Sequence, residues 1–218
     1  MVGDNRVNFN YDKNYFENHY KSSFYRWYIT SIRNRTIINI AYKWLRQGRI
    51  LEIGFGDDNL LKQFNERFEI FGIDISDFAV SVMKNKYNPE NFRVCNVDRE
   101  RIPFPYKFDA VFAINVIEHL QHPEYALENI YSSLKEGGLF LVHMPLRSNM
   151  LSRFQYKFLY DVPEHLYRPS FDSLNMLLNK IGFELLEKFV PSFFPVKIGL
   201  SWVINSFNLF LGVYRKQF

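Results

Sequence analysis

Residues Arg49 to Asp74 read RILEIGFGDDNLLKQFNERFEIFGID. An apolar run, Ile50-Leu51-Glu52-Ile53, ends in Gly54-Phe55-Gly56. Leu60, Leu61 and Phe64 come next at helical spacing, and a second apolar run ends in Asp74. The order is strand, glycine loop, helix, strand, acid, the layout of a nucleotide pocket at the carboxyl edge of a parallel sheet. Glycine has no Cβ, so a ligand can approach the backbone closely. Asp74 lies about 20 residues beyond the first strand, where a carboxylate accepts hydrogen bonds from ribose hydroxyls.

The residues after the glycines narrow the choice of nucleotide. A dinucleotide fingerprint continues as Gly-x-Gly-x-x-Gly, and Asn59 stands where its third glycine belongs. A Walker loop needs Gly-Lys-Ser/Thr, and Asp57-Asp58 occupies that stretch. Two acids at a helix start repel phosphate, which a helix N-terminus otherwise attracts. The loop therefore suits a nucleoside without phosphate. S-adenosylmethionine, with its positive sulfonium and ammonium groups, is such a ligand.

Five stretches in order carry a family resemblance. They are Glu52-x-Gly54-x-Gly56, Asp74 in FGIDIS, Asp98 in NVDRERIPFP, FDAVFAINVIEHL from Phe108 to Leu120, and LKEGGLFLVHMP from Leu134 to Pro145. The chain resembles the class I S-adenosylmethionine-dependent methyltransferases over most of its length, with Asp58 in place of the third glycine of their first motif. The resemblance implies a Rossmann-like, doubly wound seven-stranded mixed sheet with an antiparallel last strand. It implies S-adenosylmethionine as cofactor. Glu52 would order the glycine loop, and Gly54, Phe55 and Gly56 would offer backbone to the methionine part. Asp74 would take the ribose, with Ile75 packing on the adenine. Asp98 would accept from the adenine amino group beside Val97. Ile114 and Asn115 would touch the methionine end. Arg33 or Arg35 lies about where related enzymes place a cationic partner for the methionine carboxylate, and Arg33 is taken as the candidate.

Transfer to an alcohol or phenol needs a base, and histidine is the usual one near neutral pH. The segment Asn115 to His119 is similar to the Glu-x-x-Glu-His segment of ubiquinone-pathway O-methyltransferases, where acids and histidine can hold a divalent metal. Here the first acid is Asn115, and hard cations favour carboxylates, so no metal is expected. Two histidines, His165 and His119, are the candidates for catalysis; His143, in a strand, is left undecided. His165 falls in a lid expected at 146–169, which is polar and aromatic without a clear period.

The 218 residues suffice for one α/β domain, and 47% hydrophobic content with 23 Phe and 14 Tyr argues a folded globule. A net charge of +4 is too weak to argue nucleic acid. One cysteine, Cys95, excludes an intramolecular disulfide. No basic n-region followed by an apolar h-region opens the chain, so a cytoplasmic location is expected. Residues 11–47 read as a helix within a helical N-terminal extension over 1–48. Strands are expected at 50–55, 70–75, 92–97, 110–115 and 139–144, with helices at 59–67, 77–86 and 124–136. Ser170 caps a helix to Ile181, and 183–190 with 209–216 read as a closing antiparallel pair. Asp58 is expected to cap the helix of the first motif. Between the closing strands, 191–208 form a long excursion with a short helix at 199–206.

The uncharged stretch from Ile198 to Tyr214 is too diluted by polar residues for a transmembrane span. Peripheral membrane contact would run through Trp202, Phe207 and Phe210. The leading reading is methyl transfer to a small-molecule acceptor, most naturally at oxygen, with lid aromatics suited to lipid- or sugar-linked compounds. One alternative is a module that binds S-adenosylmethionine without methyl transfer, to which Asp58 points. Another is nucleic-acid methylation, favoured by a pI near 9.0. It lacks the Asn/Asp-Pro-Pro-Tyr motif, since INVIEHL stands there.

Overall fold

Alternate residues of the central strands are buried in two separate clusters, and this alternation builds the molecule. Leu51, Ile53, Phe71, Ile73, Val111, Ala113, Phe140 and Val142 belong to one cluster. Ile50, Ile70, Ala110, Phe112, Leu139 and Leu141 belong to the other. A strand sends successive side chains to opposite faces, so runs that are apolar on both faces specify a sheet covered on both sides. The computed structural model describes residues 24–147, 164–189 and 209–217.

The seven strands are β1 (Gly48–Ile53), β2 (Phe68–Asp74), β3 (Phe92–Val94), β4 (Phe108–Ile114), β5 (Leu134–Pro145), β6 (Phe183–Phe189) and β7 (Leu209–Lys216). Their order in the sheet is β3-β2-β1-β4-β5-β7-β6. The strands from β3 to β5 pair in parallel, while β7 runs antiparallel to both β5 and β6. The fold is the expected Rossmann-like mixed sheet. Strand order reverses at β1 and β4, so a crevice opens beyond their carboxyl ends, where ligands bind in open α/β sheets.

Among the described residues, four α-helices cover the faces: α1 (Phe24–Trp44), α2 (Asp77–Lys86), α3 (Pro123–Ser133) and α4 (Phe171–Ile181). Ile37, Ile40 and Ala41 of α1 and Ala79, Val80 and Met83 of α2 pack into the cluster around Ile50. Ala126, Leu127 and Ile130 of α3 and Leu174 and Leu178 of α4 pack into the cluster around Leu51. Ser76 caps α2 by accepting from the Ala79 amide. Pro123 opens α3 where a missing N–H costs nothing. Ser170 and Ser173 form a reciprocal cap on α4. Trp44 at the end of α1 donates its indole N–H to Glu187 of β6 at 2.8 Å, fixing that helix across the sheet. On the opposite face Phe71 is fully buried against Phe104, Tyr106 and Phe108, with ring centroids 5.2, 5.4 and 5.3 Å away. Removing such a ring costs about 3–5 kcal/mol.

Several expectations need correction. The helix expected at 59–67 is a single 3-10 turn, Leu61–Gln63. Leu60, Leu61 and Phe64 are buried, so their spacing reports packing, but the Asp57 carboxylate accepts the Asn59 amide at 2.9 Å and competes with helical hydrogen bonding. Asp58 does not cap it. Its carboxylate takes the Tyr87 hydroxyl at 3.1 Å and the Lys86 ammonium at 3.3 Å, tying the loop to the end of α2. The helix expected to run to 136 stops at Ser133, because Leu134 already pairs with Phe108 in the sheet before the ladder breaks and resumes at Leu139. Phe210 is buried at 2% exposure and packs edge-on against Phe171 at 5.5 Å, so it offers nothing to a membrane. Trp202, Phe207, the excursion at 191–208, most of the lid and the first part of the N-terminal extension lie outside the described residues. No described helix is long and apolar enough to cross a membrane.

Candidate functional site

The glycine loop leaves β1 through two residues with positive φ, Gly54 at +65° and Gly56 at +57°. A Cβ on Gly54 would come within 2.5 Å of the Val116 side chain, so the loop can pass beneath the exit of β4 only without one. Phe55 turns its ring away from the crevice, edge-on to Phe92 at 5.8 Å and against Gly72. Only its backbone faces the loop. Asp74, at the end of β2, accepts the Gly56 amide at 3.0 Å and the Ser76 amide at 2.9 Å. A carboxylate has about four lone-pair sites, so accepting capacity remains for a further donor. Burial lifts the Asp74 carboxyl above its usual range, against the pull of the Ser76, Gly56 and Ile75 amides. Ile75, next in sequence, is 46% exposed despite its apolar side chain, an arrangement that suits a flat ligand lying over it.

Val97 is buried. Asp98 directs its carboxylate at the amides of Gln121 and His122, at 3.1 and 2.6 Å. It thereby holds the start of α3 beside the crevice while retaining accepting capacity. A cavity of about 780 Å³ opens on this side, lined by residues that include Asp98, His122, Glu124, Tyr125, Tyr167 and Leu177. The residues that line it do not include the glycine loop, His119, His143 or His165.

Glu52 is 4% exposed, and one of its carboxylate oxygens has no hydrogen-bond partner. Burial, reinforced by Asp57 and opposed by Arg33, pushes its carboxyl well above the ordinary range. A buried oxygen without a donor is costly, and a ligand ammonium nearby would relieve that cost. The glycine turn, the spare lone pairs of Asp74 and the orphaned oxygen of Glu52 fit S-adenosylmethionine. The charge of Arg33 on α1 acts on Glu52, Asp57, Glu118 and His143, so this helix brings its cation to the centre of the same edge.

Beyond β4, Ile114 is buried while Asn115 is exposed. Asn115 has φ +56° and accepts a hydrogen bond from His143 Nδ1 at 2.7 Å. His143 is 3% exposed, and burial together with Arg33 pulls its imidazole down to about 3. The chain then makes a 3-10 turn, Ile117–His119. Here the backbone carbonyl of Glu118 accepts the Tyr167 amide at 2.9 Å. The Glu164 carbonyl accepts His119 Nδ1–H at 3.0 Å, which places the lone pair of neutral His119 on Nε2. His119 and His165 meet edge to face at 4.9 Å.

Glu118, His119 and His165 each present a ligand atom, all within 4.8 Å of one another. Burial pushes the Glu118 carboxyl up to about 8, against its own backbone amide and Arg33, and one of its oxygens lacks a partner. Two imidazoles and a carboxylate could hold a divalent transition ion. The sequence predicts no metal because Asn115 replaces a carboxylate; the third donor, His165, joins only through tertiary structure. Its tether to the turn, through Tyr167 and Glu164, has no local sequence signal.

A methyltransferase domain family model matches residues 27–188. A ubiquinone/menaquinone biosynthesis C-methyltransferase, UbiE, from Nitrosospira multiformis is 23% identical over 168 residues, spanning 65% of this chain and 69% of that protein. The O-methyltransferase rstn1 of Aspergillus nomiae is 28% identical over 158 residues, spanning 66% and 67%. Among solved structures, an S-adenosylmethionine-dependent methyltransferase from Clostridium acetobutylicum superposes with a TM-score of 0.65 at 14% identity, covering 94% of this chain and 99% of the other. The N-methyltransferase NodS of Bradyrhizobium japonicum, in complex with S-adenosylhomocysteine, gives 0.63 at 11% identity, covering 84% and 85%. The structural likenesses show the fold, and the match over most of the chain shows the family. This chain belongs to the class I S-adenosylmethionine-dependent methyltransferases, with S-adenosylmethionine as its cofactor.

Proposed function

We propose that the enzyme methylates a small molecule at oxygen, in the crevice between the glycine loop and the turn that carries Glu118 and His119. The observation that carries this reading is the convergence of Glu118, His119 and His165 within 4.8 Å of one another, just past the end of β4. An oxygen nucleophile must lose a proton, and one of these imidazoles is the acceptor for it. His119 is held by the Glu164 carbonyl with its lone pair on Nε2, and His165 stands against it.

Bound in this crevice, S-adenosylmethionine supplies an electrophilic methyl carbon and a neutral thioether leaving group. The chain's own work is alignment and exclusion of water. Asp74 holds the ribose with its spare lone pairs, and Ile75 covers the adenine. Glu52 takes the ammonium, and Gly54, Phe55 and Gly56 supply backbone along the methionine part. Ile114 and Asn115 set the methionine end, and Asp98 with Val97 bounds the adenine side. Arg33 supplies positive charge for the carboxylate. A divalent ion held by Glu118, His119 and His165 would make a bound acceptor hydroxyl more acidic; without it, the imidazoles act directly. Aromatic residues around the crevice, such as Tyr167, suit an acceptor with an apolar or sugar-bearing body.

The names of the relatives include C-, O- and N-methylation, so the acceptor atom is decided by experiment. Purified protein is incubated with S-adenosylmethionine and panels of phenols, hydroxy acids, amines and activated carbon acids. Formation of S-adenosylhomocysteine and the site of the new methyl group are read by mass spectrometry. Methyl groups found only on nitrogen or carbon would overturn the oxygen reading.

A further inference from the structure

His143 and Asn115 are joined more closely than neighbours in a sheet need be. Ile114 and His143 are register partners across β4 and β5. Asn115, one step further, donates its backbone N–H to the His143 carbonyl at 2.8 Å. Its side-chain oxygen also accepts from His143 Nδ1 at 2.7 Å. Among the described residues Asn115 is the non-glycine residue with positive φ, a conformation that asparagine tolerates but that still selects against most side chains. Both ends of the residue are thus fixed by one histidine. An amide oxygen can only accept, so the ring proton of the neutral His143 sits on Nδ1. With its oxygen turned inward, the planar amide of Asn115 must present its NH₂ group on the other side, and Asn115 is an exposed residue.

The surroundings indicate what those donors meet. The amino-acid end of the cofactor carries an ammonium and a carboxylate, which need opposite partners. Glu52 offers an orphaned buried carboxylate oxygen, and Arg33 brings positive charge to Glu52 and to His143 alike. We propose that His143 is a positioning residue that locks the Asn115 amide so that its N–H groups donate, with Arg33, to the carboxylate of the cofactor. This rests on the cofactor placement proposed above. It assigns a purpose to a buried histidine that the proposed reaction does not use.

The test compares two ligands by calorimetry: S-adenosylhomocysteine, and 5′-methylthioadenosine, which lacks the amino-acid end. His143→Leu removes the N–H while keeping an apolar buried side chain. It should weaken S-adenosylhomocysteine by roughly tenfold or more and leave methylthioadenosine within about threefold. His143→Asn places an amide N–H near the former Nδ1 position and should restore most of the loss, which a purely structural role would not predict. Equal weakening of both ligands, or of neither, overturns the proposal. Should His143→Leu fail to fold, Asn115→Asp decides. It still accepts from His143 but has no N–H to donate, and it should weaken only S-adenosylhomocysteine; equal or absent effects overturn the proposal. A wild-type protein that binds neither ligand sinks the cofactor placement itself. Wild-type binding of both without selective loss in the variants sinks only the role of His143.

Discussion

Asp74 accepts the amide of Gly56 at 3.0 Å, which makes the acid after β2 and the loop after β1 a single unit. The same carboxylate accepts the Ser76 amide at the start of α2. Whatever binds Asp74 therefore meets a loop already held in shape, and the ordering cost of the loop is met at folding rather than at binding.

Replacing Asp74 with alanine removes both functions together. Asp74→Ala should weaken S-adenosylhomocysteine binding by about 2–4 kcal/mol, the worth of a pair of charge-assisted hydrogen bonds. Its position at a loop edge in the sequence suggests little effect on folding. Its burial and two backbone bonds instead argue for a loss of about 1–2 kcal/mol of stability. Calorimetry and chemical denaturation measure the two separately. Affinity within threefold of wild type would exclude Asp74 as the ribose acid.

Glu52 should show a trade between stability and binding. Its folded-state carboxyl is raised mainly by burial. A raised carboxyl contributes stability that is full below the unfolded value of 4.5 and is lost as pH rises through the folded value. Glu52→Gln mimics the protonated form. In ligand-free protein it should match wild type below about pH 4.5 and exceed it increasingly as the pH rises above that value. The same variant should bind S-adenosylhomocysteine more weakly. A stability difference that does not grow with pH would show that Glu52 ionises in the fold without penalty.

The histidines are tested by turnover. His119→Ala or His165→Ala should lower the rate with the true acceptor by roughly 10²-fold or more if that residue takes the proton. Binding of S-adenosylhomocysteine should be unchanged. For a phenolic acceptor the deficit should shrink as assay pH rises, because the acceptor then ionises unaided. Full activity in both variants over the whole pH range would remove both from the reaction.

Protein stripped with a chelator and titrated with Zn²⁺ should bind one ion. His165→Ala should weaken that binding at least tenfold, since it removes one of three donors. Circular dichroism checks that the variant folds. Unaltered Zn²⁺ affinity in the variant would place any metal elsewhere.

Much of the fold is readable in the chain because parallel strands buried on both faces are continuous apolar runs. Ile50 to Ile53 and Ala110 to Ile114 are such runs, and Gly54, Gly56 and Asp74 mark the ends of two of the strands. The turn after Gly56 is harder to read. Leu60, Leu61 and Phe64 have helical spacing, yet the Asp57 side chain captures the Asn59 amide, and β2 begins at Phe68 before a helix could form. Leu134 belongs to β5 for a similar reason: its partner Phe108 is distant in sequence. The pairing of His143 with Asn115 and of His119 with Glu164 is invisible to periodicity altogether. Such contacts depend on strand register and on a segment returning from far along the chain.

The insertion of β7 between β5 and β6 has a consequence for biogenesis. A ribosome delivers β6 first, and until residues 209–216 emerge, neither β6 nor the outer side of β5 has a ladder partner in the sheet. During that interval two strand edges stand open, the condition under which nascent chains stick to one another. A message truncated within the stretch between β6 and β7 should therefore yield not a smaller enzyme but an insoluble product. Chaperone demand should fall sharply once the closing strand has been translated.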